Sequence, residues 1–408
     1  HLTKHTNGCC VKLLRASKVN RRLFIKILSL FFATFFFRSN KIMGQVKAMP
    51  SADKIKIPTV PKVIRIFDKN ATAWDYKTNP YINYINYDVV KDMLSKGLTT
   101  LTGTKDTKDA WRTILYSYKD GEKIVIKPNF NNTGIGYSKA IMTSPQVISA
   151  IIESLINSGF PAKDIIVYDL TARGTDEIMT WLKHYPIQTV FRRDYKSLWD
   201  KVAARLYLGQ QDADSSAMIK MRSVIKDDNS QSVNCYIPKV LTNAQHLINV
   251  PVFKAHQFVL QSSALKNHFG TVRFSNFNSY PVVLHGENIE KNIVDIYRND
   301  HIRLKTRITI ADGLFGAGNF NKEDYGRVPA PWKTLSTGPT PNSLFFSFDP
   351  IALESVLADY IIQEQEANGY KSYSHQYLHD AMDIGMGIHE HRNTKGRYTQ
   401  IKYKEIIS

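Results

Sequence analysis

Hydrophobic residues form short, nearly continuous runs from residue 62 onward, and amphipathic segments separate these runs. Such runs are typical of strands that are buried on both faces of a parallel sheet. The pattern predicts strands over residues 62–67, 123–127, 164–169, 247–252, 307–311 and 344–348. Helical spacing of the apolar positions predicts helices over residues 88–96, 145–158, 260–268, 289–298 and 351–366.

The segment between residues 123 and 169 indicates how these elements connect. Ser144 precedes a helix whose first turn holds Pro145, and Gly159 follows its end, as helix start and stop signals require. A strand, a helix and a second strand in this order predict a right-handed parallel crossover. We therefore expect an α/β fold with a mostly parallel sheet flanked by helices. An inserted subdomain is expected around residues 185–240, where the pattern is irregular.

A different hydrophobic run, at residues 27–37, predicts a signal peptide. Its eleven residues are too few to cross about 30 Å of hydrocarbon as a helix. The segment before it reads Asn-Arg-Arg-Leu-Phe-Ile-Lys over residues 20–26 and resembles the twin-arginine export motif, with Asn where Ser or Thr is usual. We expect a periplasmic or secreted protein that is exported by the twin-arginine machinery, with the Sec machinery as the alternative. No stable membrane span is expected.

The leader also suggests where the native protein begins and how the chain is divided. The first 18 residues have neither apolar periodicity nor leader character, so we expect a start at Val19 and upstream translation before it. Val46 and Ala48 are small residues at the positions that precede a cleavage site. The expected organisation is a leader over residues 1–48 with its signal peptide at 19–48, a linker over 49–61 and an α/β domain over 62–408.

The formal net charge of +18 does not indicate a nucleic-acid surface. Residues 1–62 hold 13 Lys and Arg residues against one acidic residue, Asp53, which accounts for +12 of that charge. The other basic residues are dispersed, so we expect no nucleic-acid partner. Three cysteines are too few for a cluster site with four thiolates, and Cys235 is expected to be a small core residue.

Polar side chains follow the predicted strands at their carboxyl ends, where ligands bind in open α/β sheets. In a parallel sheet these ends share one edge, so we expect a common polar cleft there. A single Asp after a strand is more often the N-cap of the next helix, and Asp349 before Pro350 fits that role well. The strand-end residues are Lys127, Asn129, Asp169, Lys254, His256, Asp312 and Asp349.

Sequence motifs surround these strand ends. The most specific pair reads Leu-Ile-Asn-Val-Pro-Val-Phe-Lys-Ala-His over residues 247–256 and Ala-Leu-Lys-Asn-His-Phe-Gly over residues 264–270. Further landmarks are Lys127-Pro128-Asn129, Thr143-Ser144-Pro145, Tyr168-Asp169, His285, Asp295, Asp312-Gly313 and residues 349–353. Together they resemble the family called domain of unknown function 362, over roughly residues 62–390.

The resemblance implies a list of site residues but no reaction, because none is settled for the family. Twin-arginine leaders are common in it, which favours that export route here. Many members also carry ferredoxin-type Cys-x-x-Cys runs, and this sequence has none. We therefore expect no iron–sulfur cluster.

Lys254, His256 and Lys266 are the candidate catalytic residues. Two neighbouring ammonium groups bind carboxylate or phosphate, while a neutral imidazole transfers a proton. Lysines held close together lower each other's pKa, which makes one of them a candidate base or Schiff-base former. In the alternative interpretation, Lys266 and His268 are charges at the C-terminal end of the helix predicted over residues 260–268. The expected ligand-binding residues are Lys127, Asn129, Asp169 and Asn267.

A divalent metal ion is the candidate cofactor, because imidazole and carboxylate ligands suit Zn, Mn, Fe or Ni. No two histidines of this site have tight chelate spacing, and His256 and His268 lie twelve positions apart. His389 and His391 are expected to be solvated on a polar terminus. The candidate metal ligands are His256, Asp312, Asp349 and His285.

Two functions remain open at this point. The first is an exported enzyme that acts on a small anionic substrate, with lysines holding the anion and His256 transferring a proton. The second is a non-catalytic periplasmic accessory protein that holds an anion or a metal ion in the same cleft. An enzyme needs its acid and base within hydrogen-bond reach of one substrate, whereas a binding protein does not.

Replacing both Arg21 and Arg22 by Lys is expected to trap the precursor in the cytoplasm, because the twin-arginine machinery reads the arginine pair. Cell fractionation measures this, and N-terminal sequencing of the exported wild type is expected to begin near Met49. Normal export of the double variant would favour the Sec machinery. A native N-terminus within residues 1–18 would contradict the start at Val19.

Overall fold

A computed structural model of the chain describes residues 60–133, 136–191, 212–276, 279–318 and 329–408. The predicted leader, and the predicted linker up to residue 59, lie outside the described residues. Within the described ranges, none of the helices combines the length and the apolar character that crossing a membrane requires.

Strands and helices alternate along most of the described chain. The strands are β1 (Lys62–Phe67), β2 (Ile124–Pro128), β3 (Ile165–Asp169), β4 (Gln188–Phe191), β5 (Ala213–Met218), β6 (Cys235–Pro238), β7 (His246–Val250), β8 (Val252–Lys254), β9 (Arg273–Phe274), β10 (Thr306–Ala317), β11 (Ser343–Ser347) and β12 (Lys402–Ile407). The α-helices are α1 (Tyr87–Thr102), α2 (Thr107–Ile114), α3 (Pro145–Asn157), α4 (Asp176–Leu182), α5 (Lys239–Thr242), α6 (Ile289–Tyr297), α7 (Asp300–Arg303), α8 (Pro350–Ala367) and α9 (Gln376–Asp383). Short 3₁₀ helices cover Tyr81–Tyr84, Ala162–Asp164, Lys266–Thr271 and Pro281–Leu284.

The large sheet is mostly parallel and helices flank it, which confirms the α/β prediction. Its strand order is β12-β1-β11-β10-β7-β2-β3-β4, and β8 pairs with β10. The pairings of β11 with β1 and with β10 are antiparallel, while the others in this sheet are parallel. Among the described strands of this sheet, β11 is therefore the one that runs in the opposite direction.

Two hydrophobic layers cover the faces of this sheet. Successive residues of a strand point to opposite faces, so Ile124 and Ile126 of β2 belong to one layer and Val125 to the other. Helices α1 to α4 contribute to the first layer, and α5 to α9 contribute to the second. Burial on both faces explains why β2, β3 and β7 are read as nearly continuous apolar runs.

Each predicted strand is present, although β10 extends six residues beyond its predicted end and the strand predicted over residues 247–252 is divided into β7 and β8. The predicted helix over residues 260–268 is wrong. Distant groups take the backbone N–H donors that a helix needs there. Leu260 donates to the carbonyl of Ser374 at 2.9 Å, and Leu265 donates to the Glu354 carboxylate at 2.7 Å. The apolar residues of this segment are buried, and only its last three positions are helical, in the 3₁₀ helix Lys266–Thr271.

The described residues of the segment predicted as an inserted subdomain pack into the main domain. Strands β5 and β6 form a small antiparallel sheet with β9, which comes later in the chain. Buried residues of this segment, such as Ile219 and Ile225, pack into the same hydrophobic layer as α8. Cys235 is a buried free thiol in that layer, as predicted. Residues 192–211 lie outside the description.

The reversed direction of β11 separates Asp349 from the other strand-end residues. Its carboxyl end lies at the opposite edge of the sheet from those of β2, β3 and β10. Asp349 is the N-cap of α8, where its Oδ1 accepts the N–H groups of Ile351 at 2.8 Å and Ala352 at 3.0 Å. The prediction that Asp349 shares a cleft with Lys127 is therefore wrong, whereas its role as a helix N-cap is confirmed.

Gly97→Ala is expected to lower the free energy of unfolding by about 1–3 kcal/mol, because a Cβ at this position of α1 would overlap the ring of Phe346 in β11. The overlap outweighs the advantage of about 1 kcal/mol that Ala has over Gly inside a helix. Gly286→Ala is the control, since its Cβ would meet no heavy atom within 4 Å. Urea unfolding measures both variants. An unfolding free energy of Gly97→Ala at or above the wild-type value would contradict this packing.

Candidate functional site

A buried ion pair joins the ends of β2 and β3. Lys127 and Asp169 are each about 1% exposed, and the Lys127 ammonium donates to Asp169 Oδ2 at 3.1 Å and to the Pro128 carbonyl at 2.7 Å. The same Asp169 oxygen accepts the N–H of Phe130 at 2.8 Å. Its other oxygen accepts both the N–H and the hydroxyl of Thr171. Burial lowers the pKa of Lys127, and the Asp169 carboxylate opposes that shift.

This ion pair also anchors the 3₁₀ helix Lys266–Thr271. Asn267 accepts from the Lys127 ammonium at 3.4 Å and donates to the Lys127 carbonyl at 3.0 Å. A Cβ on Gly270 would lie 3.0 Å from Lys127 Nζ and 3.1 Å from Asp169 Oδ1, so glycine allows the close approach. The contacts do not support the predicted ligand-binding role of Lys127, Asp169 and Asn267, because these polar groups bind one another.

Two further lysines lie close together beside this network. Lys254 ends β8 and Lys266 opens the 3₁₀ helix, with side chains 4% and 5% exposed. Lys254 Nζ lies 3.3 Å from the Ile141 carbonyl and 3.4 Å from Asn131 Oδ1. Burial, and then the Lys254 ammonium, lowers the pKa of Lys266 to about 7, while the Glu354 carboxylate opposes the shift. The predicted coupling of these two lysines is therefore present.

His285 fixes the position of the Lys266 amine. Its Nδ1 lies 2.9 Å from the Pro281 carbonyl, which can only accept, so Nδ1 carries the proton. Its Nε2 therefore accepts a hydrogen bond from Lys266 Nζ at 2.9 Å. Burial, and then the Lys266 ammonium, lowers the pKa of His285 to about 3, which keeps the imidazole neutral.

His256 lies against His285 at the outer side of the lysine pair. The two rings stack with centroids 5.4 Å apart, and His256 is half-buried. Its Nδ1 accepts the N–H of Phe258 at 3.2 Å, so a neutral His256 carries its proton on Nε2. The ring that stacks on His285 therefore carries an N–H donor at Nε2.

Two buried polar side chains of the site are unusual. The amide oxygen of one has no hydrogen-bond donor among the described residues, and the carboxyl group of the other has a raised pKa. Asn129 is 4% exposed, and its Oδ1 has no hydrogen-bond donor among the described residues. Glu354 of α8 accepts the N–H of Leu265 and the hydroxyl of Tyr377, each at 2.7 Å. Burial raises the pKa of Glu354 to about 7, although its hydrogen bonds and Lys266 act against this shift.

A family model for a domain of unknown function, DUF362, matches residues 124–359. The match covers more than half of the 408-residue chain and includes every site residue from Lys127 to Glu354. The chain belongs to the DUF362 family. No curated protein matches it. The family assignment confirms the resemblance predicted from the strand-end motifs and leaves the activity open.

The predicted metal site is not formed by the DUF362 domain. Asp349 lies at the other edge of the sheet, as described above. Asp312 lies within β10, where its two oxygens accept the N–H groups of Ser144 at 2.6 Å and Leu314 at 3.0 Å. In the described part of the chain, His256, His285 and these two carboxylates do not bring their ligand atoms together.

His268 is a core residue and not a charge at a helix end. Its side chain is fully buried, and its Nδ1 lies 3.2 Å from the Thr271 hydroxyl. Burial, and then the Lys127 ammonium, lowers the pKa of His268 well below its ordinary value. The end-cap interpretation therefore fails for His268 and for Lys266, because no α-helix precedes them.

Sequence reasoning missed Glu354, Tyr377 and Asn131. Glu354 lies in an apolar helical pattern, where a single acidic residue reads as a solvent-exposed position. The sequence signal that could have found it is the apolar run on both sides of Glu354, over residues 351–358. In the structure, residues 350–361 of α8 are all buried. A cavity of about 250 Å³ lies between other residues, among them Arg65 and Arg392, and it contains none of the strand-end groups.

Lys127→Met is expected to lower the free energy of unfolding by about 3–5 kcal/mol, because it leaves the Asp169 carboxylate buried without its partner. Lys91→Met removes a partner of the exposed Asp88 and is the control, with an expected cost of about 0–1 kcal/mol. Urea unfolding compares the two. If both variants cost equally little, the Lys127–Asp169 pair does not hold the site together.

Proposed function

We propose that this protein is an exported enzyme that binds a small anionic substrate at the Lys254–Lys266 pair and uses Lys266 as a base. One observation carries the proposal: a buried lysine has a pKa lowered to about 7 beside a second ammonium. Such a lysine is about half deprotonated near neutral pH, which general bases and amine nucleophiles require. Strongly perturbed groups of this kind cluster at functional sites.

The two lysines divide the work. Lys254 does not take part in the proton transfer. Its ammonium attracts the negative group of the substrate. Lys266 accepts the proton, because burial and the Lys254 charge favour its neutral amine. Lys127 does not take part in binding, since Asp169 already compensates its charge.

The surrounding groups prepare Lys266 for this role. His285 accepts a hydrogen bond from the amine and fixes its direction. Among the described residues, no carboxylate lies within ion-pair distance of the Lys266 amine, so the substrate anion compensates the charge that Lys266 gains when it accepts a proton. His256 stacks on His285 and presents an Nε2 donor, which suits a general acid in the same step.

The affinity for a small anion is expected to fall as pH rises through about 7, because Lys266 loses its positive charge there. Acetate and sulfate are suitable probes, since their own charges stay constant between about pH 6 and 9. Isothermal titration calorimetry on wild type and Lys266→Met measures the effect. The variant is expected to bind more weakly and with a smaller pH dependence, because Glu354 still titrates near neutral pH, whereas Lys105→Met, an exposed control, leaves both unchanged.

An affinity that stays constant across this pH range in the wild type would contradict a titrating Lys266. Weak anion binding that responds to Lys254→Met but not to pH would instead support the non-catalytic accessory protein. The two functions are therefore separated by the pH dependence and not by binding alone.

Lys254→Met is expected to raise the pKa of Lys266 toward its ordinary value, because a like charge is removed. The midpoint of the pH profile of Lys266 modification by acetic anhydride, followed by mass spectrometry, is expected to move to higher pH. Thermal stability is expected to change little, since removal of the ammonium relieves repulsion. A loss of several kcal/mol would mean that Lys254 is a structural ion-pair partner, and the proposed anion site would then be rejected.

A further inference from the structure

A second group of chemically reactive side chains lies in the C-terminal part of the chain, away from the family motifs. His375 is the residue before α9, and His379 follows one helical turn later, which places both on one side of that turn. His389 lies in the loop after α9. One imidazole nitrogen from each histidine lies within 4.8 Å of one from each of the others.

His389 presents a buried lone pair to this group. The Ser355 hydroxyl donates its hydrogen to the Ile351 carbonyl at 2.8 Å, so its oxygen accepts from His389 Nδ1 at 2.7 Å. His389 Nε2 is therefore the unprotonated nitrogen of the neutral ring. That atom is buried and has no hydrogen-bond partner among the described residues, and the whole residue is 3% exposed.

His375 is oriented by a chain of hydrogen bonds that ends on a carboxylate. Asp359 Oδ1 accepts from His391 Nδ1 at 2.5 Å, and His391 Nε2 lies 2.9 Å from His375 Nε2. A metal ion bound to His375 Nδ1 would place the proton of that ring on Nε2, which faces His391 Nε2.

We propose that His375, His379 and His389 bind one divalent transition-metal ion of the Zn²⁺ or Co²⁺ type. Three neutral imidazoles suit these ions and not Mg²⁺ or Ca²⁺, which take oxygen ligands. The Asp359–His391–His375 chain resembles the outer shell that orients metal-binding histidines. His375 and His379 are half-buried, so the side of the site that they form leaves a coordination position for water.

The geometry requires a small closing movement on binding. Ligand nitrogens about 2.1 Å from a tetrahedral ion are about 3.4 Å apart, which is less than the 4.8 Å limit within which the three nitrogens lie here. Rotation of the half-buried His375 and His379 rings can supply the difference. Edge-to-face packing of the rings, such as His379 on His389 with centroids 4.4 Å apart, keeps them adjacent. Packing alone does not explain the buried His389 Nε2, which has no donor among the described residues and costs free energy unless something binds it.

Titration of the purified chain with Co²⁺ tests the proposal after dialysis against EDTA. Visible absorption of bound Co²⁺ reports imidazole ligation, and competition with Zn²⁺ gives the relative affinity. We expect one Co²⁺ per chain, displaced by Zn²⁺ and not by Mg²⁺. Zn²⁺ is also expected to raise the melting temperature in a concentration-dependent way, because it binds only the folded state.

Three variants identify the ligands. His379→Ala removes a ligand and is expected to weaken Co²⁺ binding more than 100-fold, whereas Asp359→Asn weakens the outer shell and costs about 10- to 100-fold. His184→Ala removes an exposed histidine elsewhere and is expected to leave binding unchanged. Far-ultraviolet circular dichroism in EDTA verifies that each variant is folded, and His379→Gln replaces His379→Ala if the latter is not. Co²⁺ binding of equal strength in wild type and the folded His379 variant would overturn the proposal, as would an absence of Co²⁺ binding in the wild type.

Discussion

The arrangement of the strand-end site depends on one buried ion pair, between Lys127 of β2 and Asp169 of β3. Because both side chains are almost completely buried, each charge needs the other, and the remaining acceptor positions on Asp169 are filled by backbone and hydroxyl donors. Asn267 and Gly270 bring the 3₁₀ helix onto this pair. Lys266 begins that helix, so the position of the proposed base follows from an ion pair that does not itself bind substrate.

The ion pair also distinguishes Lys127 from the other lysines of the site. Asp169 compensates the charge of Lys127, whereas burial and the Lys254 ammonium disfavour the charged form of Lys266. Across from them, Glu354 is held by Leu265 and Tyr377 and has a pKa raised to about 7, the same region in which Lys266 titrates. A substrate anion or a proton can therefore change the charge of this site near neutral pH without disturbing the Lys127–Asp169 pair.

The sequence predicted the strands and the parallel edge well, because burial on both faces leaves a continuous apolar signal in β2, β3 and β7. Strand direction carries no such signal. The reversal of β11 therefore moved Asp349 to the other edge, although its local N-cap role was readable from Asp349-Pro350. The helix predicted over residues 260–268 failed for a related reason: the N–H groups of Leu260 and Leu265 bond to groups more than 80 positions away, which no local pattern reports.

The histidine group also could not be predicted from local sequence patterns. His375 and His379 lie four positions apart, which is chelate spacing on a helix, but this spacing alone does not indicate His389, which was expected to be solvated. Its burial depends on Ser355 of α8, and the orientation of His375 depends on Asp359 of the same helix. These contacts join segments that are separated by 34 and 32 positions for His389–Ser355 and His391–Asp359. Only the packing of α9 and its following loop on α8 brings the imidazoles together.

Helix α8 is consequently the element that the two sites share. Glu354 and Ser355 are neighbours in it, and neighbouring helical positions point in directions about 100° apart. Glu354 points to Leu265 and Tyr377, whereas Ser355 points to His389. The family match ends at residue 359, the carboxylate that holds His391, so the strand-end site lies inside the match and the three histidines lie beyond it. The Lys254–Lys266 pair therefore lies within the segment that the family model matches, while His375, His379 and His389 lie in the segment that follows it and pack onto α8 through His389 and His391.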